Sequence, residues 1–144
     1  MARASKSRQA EPQPVERERT RKRIGFIGRR DISAREAEIL VLIGKSLARL
    51  GHTLVTIPTE GATARVREGV EAEKGELLDI PSGVLESSDH TLLYPDPHLL
   101  QRLRDKYPAL ETEHKVTVLQ PHQLETFWSS MRVIMGEQGV PIPT

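Results

Sequence analysis

The chain has 144 residues, no cysteine and a formal net charge of +1. This length suits one domain with a buried core. The absence of cysteine excludes disulfides and cysteine-ligated zinc and is typical of a reducing cytoplasm. No segment approaches the ~20 consecutive apolar residues that span a bilayer, and we find no apolar secretion signal near residue 1. We therefore expect a cytoplasmic protein that does not enter a membrane.

The charge is unevenly distributed along the chain. Residues 1–23 carry eight Lys or Arg against three Glu. This basic, proline-containing stretch is almost free of apolar residues, so it cannot bury enough surface to offset the entropy of ordering. We expect residues 1–22 to form a disordered arm, residues 23–140 a single domain and residues 141–144 a tail. The arm either contacts the phosphates of a nucleic acid or only improves the solubility of the protein.

The stretch 23–31, RIGFIGRRD, predicts a short buried strand followed by a loop and a helix. Gly28 removes a side chain where a ligand or a neighbouring backbone could come close. Free backbone N–H groups at a helix start, with Arg29 and Arg30 beside them, indicate a site for a phosphate or carboxylate. The alternative is a tight turn whose arginines are only solvated.

The first helix is predicted from a capping motif. Ser33 and Glu36 have the S-x-x-E spacing in which each side chain accepts a hydrogen bond from the other residue's backbone N–H. The apolar residues that follow make a face wider than a narrow stripe. This helix must therefore be covered by the sheet and another helix, or by a second subunit.

The rest of the chain alternates between strand-like and helix-like segments. Strands are predicted at 52–57, 77–80, 90–94 and 115–119, helices at 62–74, 99–107 and 124–135, and a turn-rich loop at 81–88. This alternation predicts an α/β fold, a Rossmann-like open parallel sheet of about five strands with helices on both faces. Ligands of such sheets bind outside the carboxyl ends of the strands, where we expect loops 28–33, 58–63 and 81–89 to converge.

Two segments resemble the SLOG superfamily, which groups DNA-processing protein A with the lonely-guy cytokinin-activating enzymes. They are 53–76, TLVTIPTEGATARVREGVEAEKGE, and 92–108, LLYPDPHLLQRLRDKYP. Gly61 falls on the glycine of the family's second loop, and Gly69 falls on a glycine of the following helix. The resemblance covers about residues 23–107 and implies a Rossmann-like fold and a nucleotide-type ligand.

This sequence departs from the family pattern in two ways. IPTE replaces the paired glycines of the second loop, which stiffens that loop and puts a carboxylate near the ligand. The lonely-guy signature Pro-Gly-Gly-x-Gly-Thr, with the catalytic glutamate that follows it, has no counterpart in this chain. The resemblance therefore implies the fold and the nucleotide ligand more firmly than it implies catalysis.

We predict that a nucleotide or nucleotide-derived phosphate ligand binds at this edge. The predicted ligand-binding residues are Gly28, Arg29, Arg30, Ser33, Thr59, Gly61, Ala62 and Thr63. Glu60 is the candidate catalytic residue, as nucleophile or general base in cleaving an N-glycosidic bond. Its alternative role is an exposed charge near a helix N-terminus, so whether the protein is an enzyme stays open at this point.

Two other functions also stay open. In the first, the protein binds single-stranded nucleic acid through residues 1–23 and the Arg29/Arg30 loop, as in the DNA-processing branch. In the second, it is a structural or assembly subunit with a vestigial ligand site. No cofactor is predicted, and no metal site, because the five histidines lack ligand spacing. The wide apolar faces of the first and last helices predict a homodimer or higher oligomer.

Overall fold

The computed structural model describes residues 22–137, with side chains up to residue 131. Most of the predicted basic arm, residues 1–21, and the predicted tail lie outside the described residues. Lys22 already belongs to the fold, because its carbonyl accepts a hydrogen bond from the backbone N–H of Thr53 at 2.9 Å. Within residues 22–137, no helix has the length and apolar character needed to cross a membrane.

Five strands form one parallel sheet, as the sequence predicts. They are β1 (Arg23–Gly28), β2 (Thr53–Thr56), β3 (Glu76–Asp79), β4 (His90–Tyr94) and β5 (Val116–Val118). Their order in the sheet is β3-β2-β1-β4-β5, and each neighbouring pair is parallel. The Rossmann-like α/β fold is therefore confirmed. The carboxyl end of β1 lies at the centre, where the strand order changes direction and ligands bind in open sheets of this kind.

The first helix begins at the predicted capping box. The helices are α1 (Ala34–Arg49), α2 (Ala62–Ala72), α3 (Val84–Ser87), α4 (Pro97–Lys106), α5 (Leu110–Glu113) and α6 (Leu124–Glu137), which a 3₁₀ turn at Pro121–Gln123 precedes. The predicted capping box starts α1: the Ser33 hydroxyl accepts from the Glu36 N–H at 3.1 Å, and the Glu36 carboxylate accepts from the Ser33 N–H at 2.7 Å. Asp96 caps α4 in a similar way, accepting from the Leu99 N–H at 2.7 Å.

Helices cover both faces of the sheet. Helices α1, α2 and α6 pack on one face around Phe26, Leu40, Leu54, Val66 and Leu124. Helices α3, α4 and α5 pack on the other face around Ile27, Leu85, Leu93, Leu103 and Leu110. The wide apolar face of α1 is thus covered within one chain, and the predicted oligomer stays a prediction.

Residues 81–88, predicted as a loop, contain the one-turn helix α3. Val84 and Leu85 are buried in it, although a helix of one turn is too short to show a periodic apolar pattern in the sequence. The predicted helix 62–74 ends at Ala72, because Lys74 adopts a left-handed backbone conformation with φ of 55°. Neither difference changes the order of the strands.

Helices α1 and α2 cross with their backbones in close contact. A Cβ atom at Gly69 would overlap the carbonyl oxygen of Val41, and one at Gly44 would overlap the carbonyl oxygen of Val66. Since backbone atoms cannot move aside as side-chain ends do, only glycine fits at these two positions. This crossing fixes the position of α2 and therefore of the loop that precedes it.

Gly69→Ala should lower the free energy of unfolding by about 3 kcal/mol, because the added methyl group forces α1 and α2 apart. Thermal unfolding should show a fall in midpoint of roughly 10 °C. Glu71→Ala, at an exposed position of the same helix, is the control and should change the midpoint little. Equal midpoints for the two variants would contradict the tight crossing.

Candidate functional site

The first two βα loops are in direct backbone contact at the carboxyl edge of the sheet. The Ala62 N–H donates a hydrogen bond to the Arg29 carbonyl at 2.9 Å. Gly61 has φ of 86°, and a Cβ atom there would overlap the backbone of Arg30. Gly61 is therefore required both for its left-handed conformation and for the close approach of the other loop. The loops support each other, and two openings border their contact.

The first opening is a cleft of about 720 Å³, which we call the basic cleft. Its lining residues are Arg30, Pro58, Thr59, Glu60, Arg67 and Arg102. Arg30 comes from the loop after β1, Arg67 from α2 and Arg102 from α4, so helices on opposite faces of the sheet contribute to it. Three arginines and one glutamate are among the described residues that line this cleft, so its lining carries a net positive charge.

Arg67 is held in place by Asp79 at the end of β3. Its Nη2 donates to Oδ2 of Asp79 at 2.8 Å, and Oδ1 of Asp79 accepts from the Thr56 hydroxyl at 3.4 Å. The Nε atom of Arg67 is buried and has no hydrogen-bond partner within residues 22–137. Asp79 therefore restrains the Arg67 side chain, which also lines the cleft.

The two neighbouring arginines Arg29 and Arg30 occupy different environments. Nη2 of Arg29 donates to the carbonyl of Pro95 at 2.6 Å, and the Arg29 guanidinium carbon lies 4.9 Å from the centre of the Tyr94 ring. This cation–π contact and hydrogen bond direct Arg29 toward β4. Arg30 is exposed and lines the basic cleft.

Tyr94 and Glu36 form a hydrogen-bonded pair beneath the Arg29 side chain. The Tyr94 side chain is fully buried, and its hydroxyl donates to Oε2 of Glu36. Burial and the bond to Glu36 raise the pKa of Tyr94 well above its usual value. Burial also acts to raise the pKa of the Glu36 carboxyl, but hydrogen bonds from Tyr94 and Ser33 and the charge of Arg29 leave that pKa below its usual value. The pair ties the start of α1 to the end of β4.

The second opening is a cavity of about 230 Å³, which we call the apolar cavity. It lies between the carboxyl ends of β1 and β2 and the helices α3 and α4. Its large apolar lining side chains are Phe26, Ile27, Ile57, Val84, Leu85, Leu103 and Tyr107. Thr59 lines both this cavity and the basic cleft, so the two openings are adjacent.

The structure distributes the predicted site residues between these features. Arg30, Thr59 and Glu60 line the basic cleft, while Gly28 and Thr63 line the apolar cavity. The Ser33 hydroxyl caps α1, and the Ala62 N–H is bonded to Arg29. Within residues 22–137, the predicted binding residues therefore do not all line one opening, and their role in binding stays a prediction.

Sequence reasoning missed two arginines of the cleft, Arg67 and Arg102. Both are on helices whose contribution to the site depends on the crossing geometry, and their sequence neighbourhood carries no motif for an anion site. In the described part of the chain, no group of three His, Cys, Asp or Glu side chains is close enough to hold a metal ion.

No protein-family model matches the sequence, and no curated protein matches it. The fold is similar to that of two solved structures of the molybdenum cofactor carrier protein from Chlamydomonas reinhardtii. The first has a TM-score of 0.59 and 17% identity, and the match covers 78% of this chain and 85% of that one. The second has a TM-score of 0.58 and 18% identity, with the same coverage. At these identities the similarity shows the Rossmann-like α/β fold.

Tyr94→Phe should lower the free energy of unfolding by about 1 kcal/mol near neutral pH, because the partly buried Glu36 carboxylate loses a hydrogen-bond donor. The lowered pKa of Glu36 means that its stabilisation is complete above the unfolded value near 4.5 and is lost as pH falls through the folded value. The raised pKa of Tyr94 means that its stabilisation is complete below the unfolded value near 10.0 and is lost as pH rises through the folded value.

Denaturant unfolding of the wild type and Tyr94→Phe should therefore differ most between about pH 5 and pH 9, and the difference should shrink toward about pH 3. Tyr107→Phe is the matched control, since the Tyr107 hydroxyl donates to Glu86 at 3.0 Å in an exposed setting. A Tyr94→Phe deficit of constant size down to about pH 3 would show that the charged carboxylate is not the partner that matters.

Proposed function

We propose that this protein binds a phosphate-bearing small molecule of the nucleotide type in the basic cleft. The observation that supports this is the convergence of Arg30, Arg67 and Arg102 on one open cleft. Among the described lining residues Glu60 is the one carboxylate, and Asp79 behind them pairs with Arg67, so the local charge stays positive. Guanidinium groups match phosphate oxygens in charge and in geometry. The cleft also lies at the carboxyl edge of a parallel sheet, where ligands of such folds bind.

The three cleft arginines and the neighbouring Arg29 have different roles in this proposal. Arg67 is a preoriented contact, because Asp79 fixes its guanidinium before a ligand arrives. Arg30 and Arg102 are exposed and close on the phosphates from the loop after β1 and from α4. Arg29 is a positioning residue, since its guanidinium is bound to the Pro95 carbonyl and the Tyr94 ring.

Relationship to the SLOG superfamily is part of this proposal. It is supported by the sequence resemblance and by the Rossmann-like fold. The similar solved structures are named as those of a cofactor carrier, and that name is a precedent for ligand binding on this fold. We infer binding as the primary function, and cleavage of an N-glycosidic bond by Glu60 as an activity to be tested separately.

Arg102→Ala should weaken nucleotide binding about tenfold, because one charge-assisted contact to phosphate is lost. Titration calorimetry with AMP, ATP and pyrophosphate measures this change. Arg104→Ala on the same helix is the matched control, since Arg104 is exposed and paired with Glu111 at 3.0 Å outside the cleft. Equal losses in Arg102→Ala and Arg104→Ala, or no binding of these compounds by the wild type, would refute the proposed site.

If Glu60 cleaves an N-glycosidic bond, wild-type protein releases free base from nucleoside monophosphates and Glu60→Gln does so about 100-fold more slowly. Chromatographic detection of the free base measures both rates. Equal release by the two proteins would exclude Glu60 as the acting carboxylate. No release by the wild type, with binding retained, would identify the protein as a binder without this activity.

A further inference from the structure

The basic cleft accounts for the phosphates of a ligand, and the apolar cavity beside it is not used by that function. We propose that the apolar cavity holds the aromatic ring of the same ligand, with the ring inside and the phosphates outside at the arginines. This inference rests on the proposed function and adds the orientation of the ligand and the basis of its selection.

Two elements connect the cavity to the cleft. Thr59 lines both openings. On α4, Arg102 lines the cleft and the next residue, Leu103, lines the cavity. A single ligand that spans this boundary would contact the charged and the apolar surfaces at once, as the two ends of a nucleoside phosphate require.

The size of the cavity limits what can enter it. At about 230 Å³, it is smaller than the roughly 300–1,000 Å³ of pockets that enclose whole drug-sized ligands. The cavity can therefore enclose a ring system but not a complete nucleotide. Its large apolar side chains favour a flat apolar surface over a charged group, and the one charged lining side chain among the described residues, Lys106, is exposed on α4.

The cavity selects by ring size more than by hydrogen-bond pattern. Its polar side chains are the hydroxyls of Thr59, Thr63 and Ser82, the Lys106 ammonium and the Tyr107 hydroxyl, which donates to Glu86. Among the described lining residues there is no Asp, Glu, Asn or Gln, the side chains that read the edges of bases through paired donors and acceptors. We expect AMP and GMP to bind with affinities within about threefold of each other.

The test compares AMP with ribose 5-phosphate, which has the same phosphate but no ring. Wild-type protein should bind AMP at least about tenfold more tightly, because the ring buries apolar surface in the cavity. Leu103→Trp fills the cavity and should reduce the ratio of AMP affinity to ribose 5-phosphate affinity to about one. Binding of ribose 5-phosphate and pyrophosphate should stay unchanged. Gln101→Trp, at an exposed position of α4, is the matched control and should keep the wild-type ratio.

A second variant keeps the test valid if Leu103→Trp does not fold. Ile57 lines the cavity but is 38% exposed, so Ile57→Trp should be tolerated and should lower the ratio as well. Circular dichroism of both variants establishes that they are folded.

The outcomes separate this inference from the proposed function. Equal affinities for AMP and ribose 5-phosphate in the wild type would overturn the ring site and leave the phosphate site intact. A preference between AMP and GMP greater than about tenfold would overturn selection by ring size. Failure of AMP, ribose 5-phosphate and pyrophosphate alike to bind would overturn the proposed function itself. The inference would be supported if the wild type prefers AMP over ribose 5-phosphate and if this preference falls in Leu103→Trp and Ile57→Trp but not in Gln101→Trp.

Discussion

One hydrogen bond, from the Ala62 N–H to the Arg29 carbonyl, joins the first two loops and determines the shape of the site. It is possible because Gly61 has a left-handed backbone and no side chain to displace Arg30. The loops fill the space between them with their own backbones. Open surface is therefore left beside the contact, as a basic cleft and an apolar cavity that share Thr59.

The arginines near the two loops differ in whether other residues of the chain already bind their guanidinium groups. Arg29 is bound by the Pro95 carbonyl and the Tyr94 ring, while its charge also favours the ionised form of Glu36. Arg67 is held by Asp79 but still reaches the cleft. A guanidinium that is already fixed loses less conformational entropy on making a contact, so the Asp79 restraint on Arg67 would suit the proposed anion site. Chemically identical side chains thus have different uses that depend on their partners.

Much of the fold could be predicted because its signals are local. These signals are the capping box at Ser33 and Glu36, the apolar run of β4 and the alternation of strands with helices. All of them depend on residues a few positions apart. The helix α3 escaped prediction because one turn carries no periodicity. Of the predicted site residues, Arg30, Thr59 and Glu60 line one cleft, and their role as a binding site stays a prediction. Arg67 and Arg102 line the same cleft but were not predicted, because they reach it from helices on opposite faces of the sheet.

The sequence by itself determined the α/β architecture, the capped start of α1 and the edge of the sheet at which the loops converge. These follow from backbone propensity, apolar periodicity and hydrogen bonding between near neighbours. Only the tertiary structure decided that Arg29 packs on Tyr94 while Arg30 faces the cleft, and that α4 contributes to both openings. The physical reason is that side-chain direction and the meeting of distant elements depend on helix crossings, such as that at Gly44 and Gly69, which no local pattern encodes.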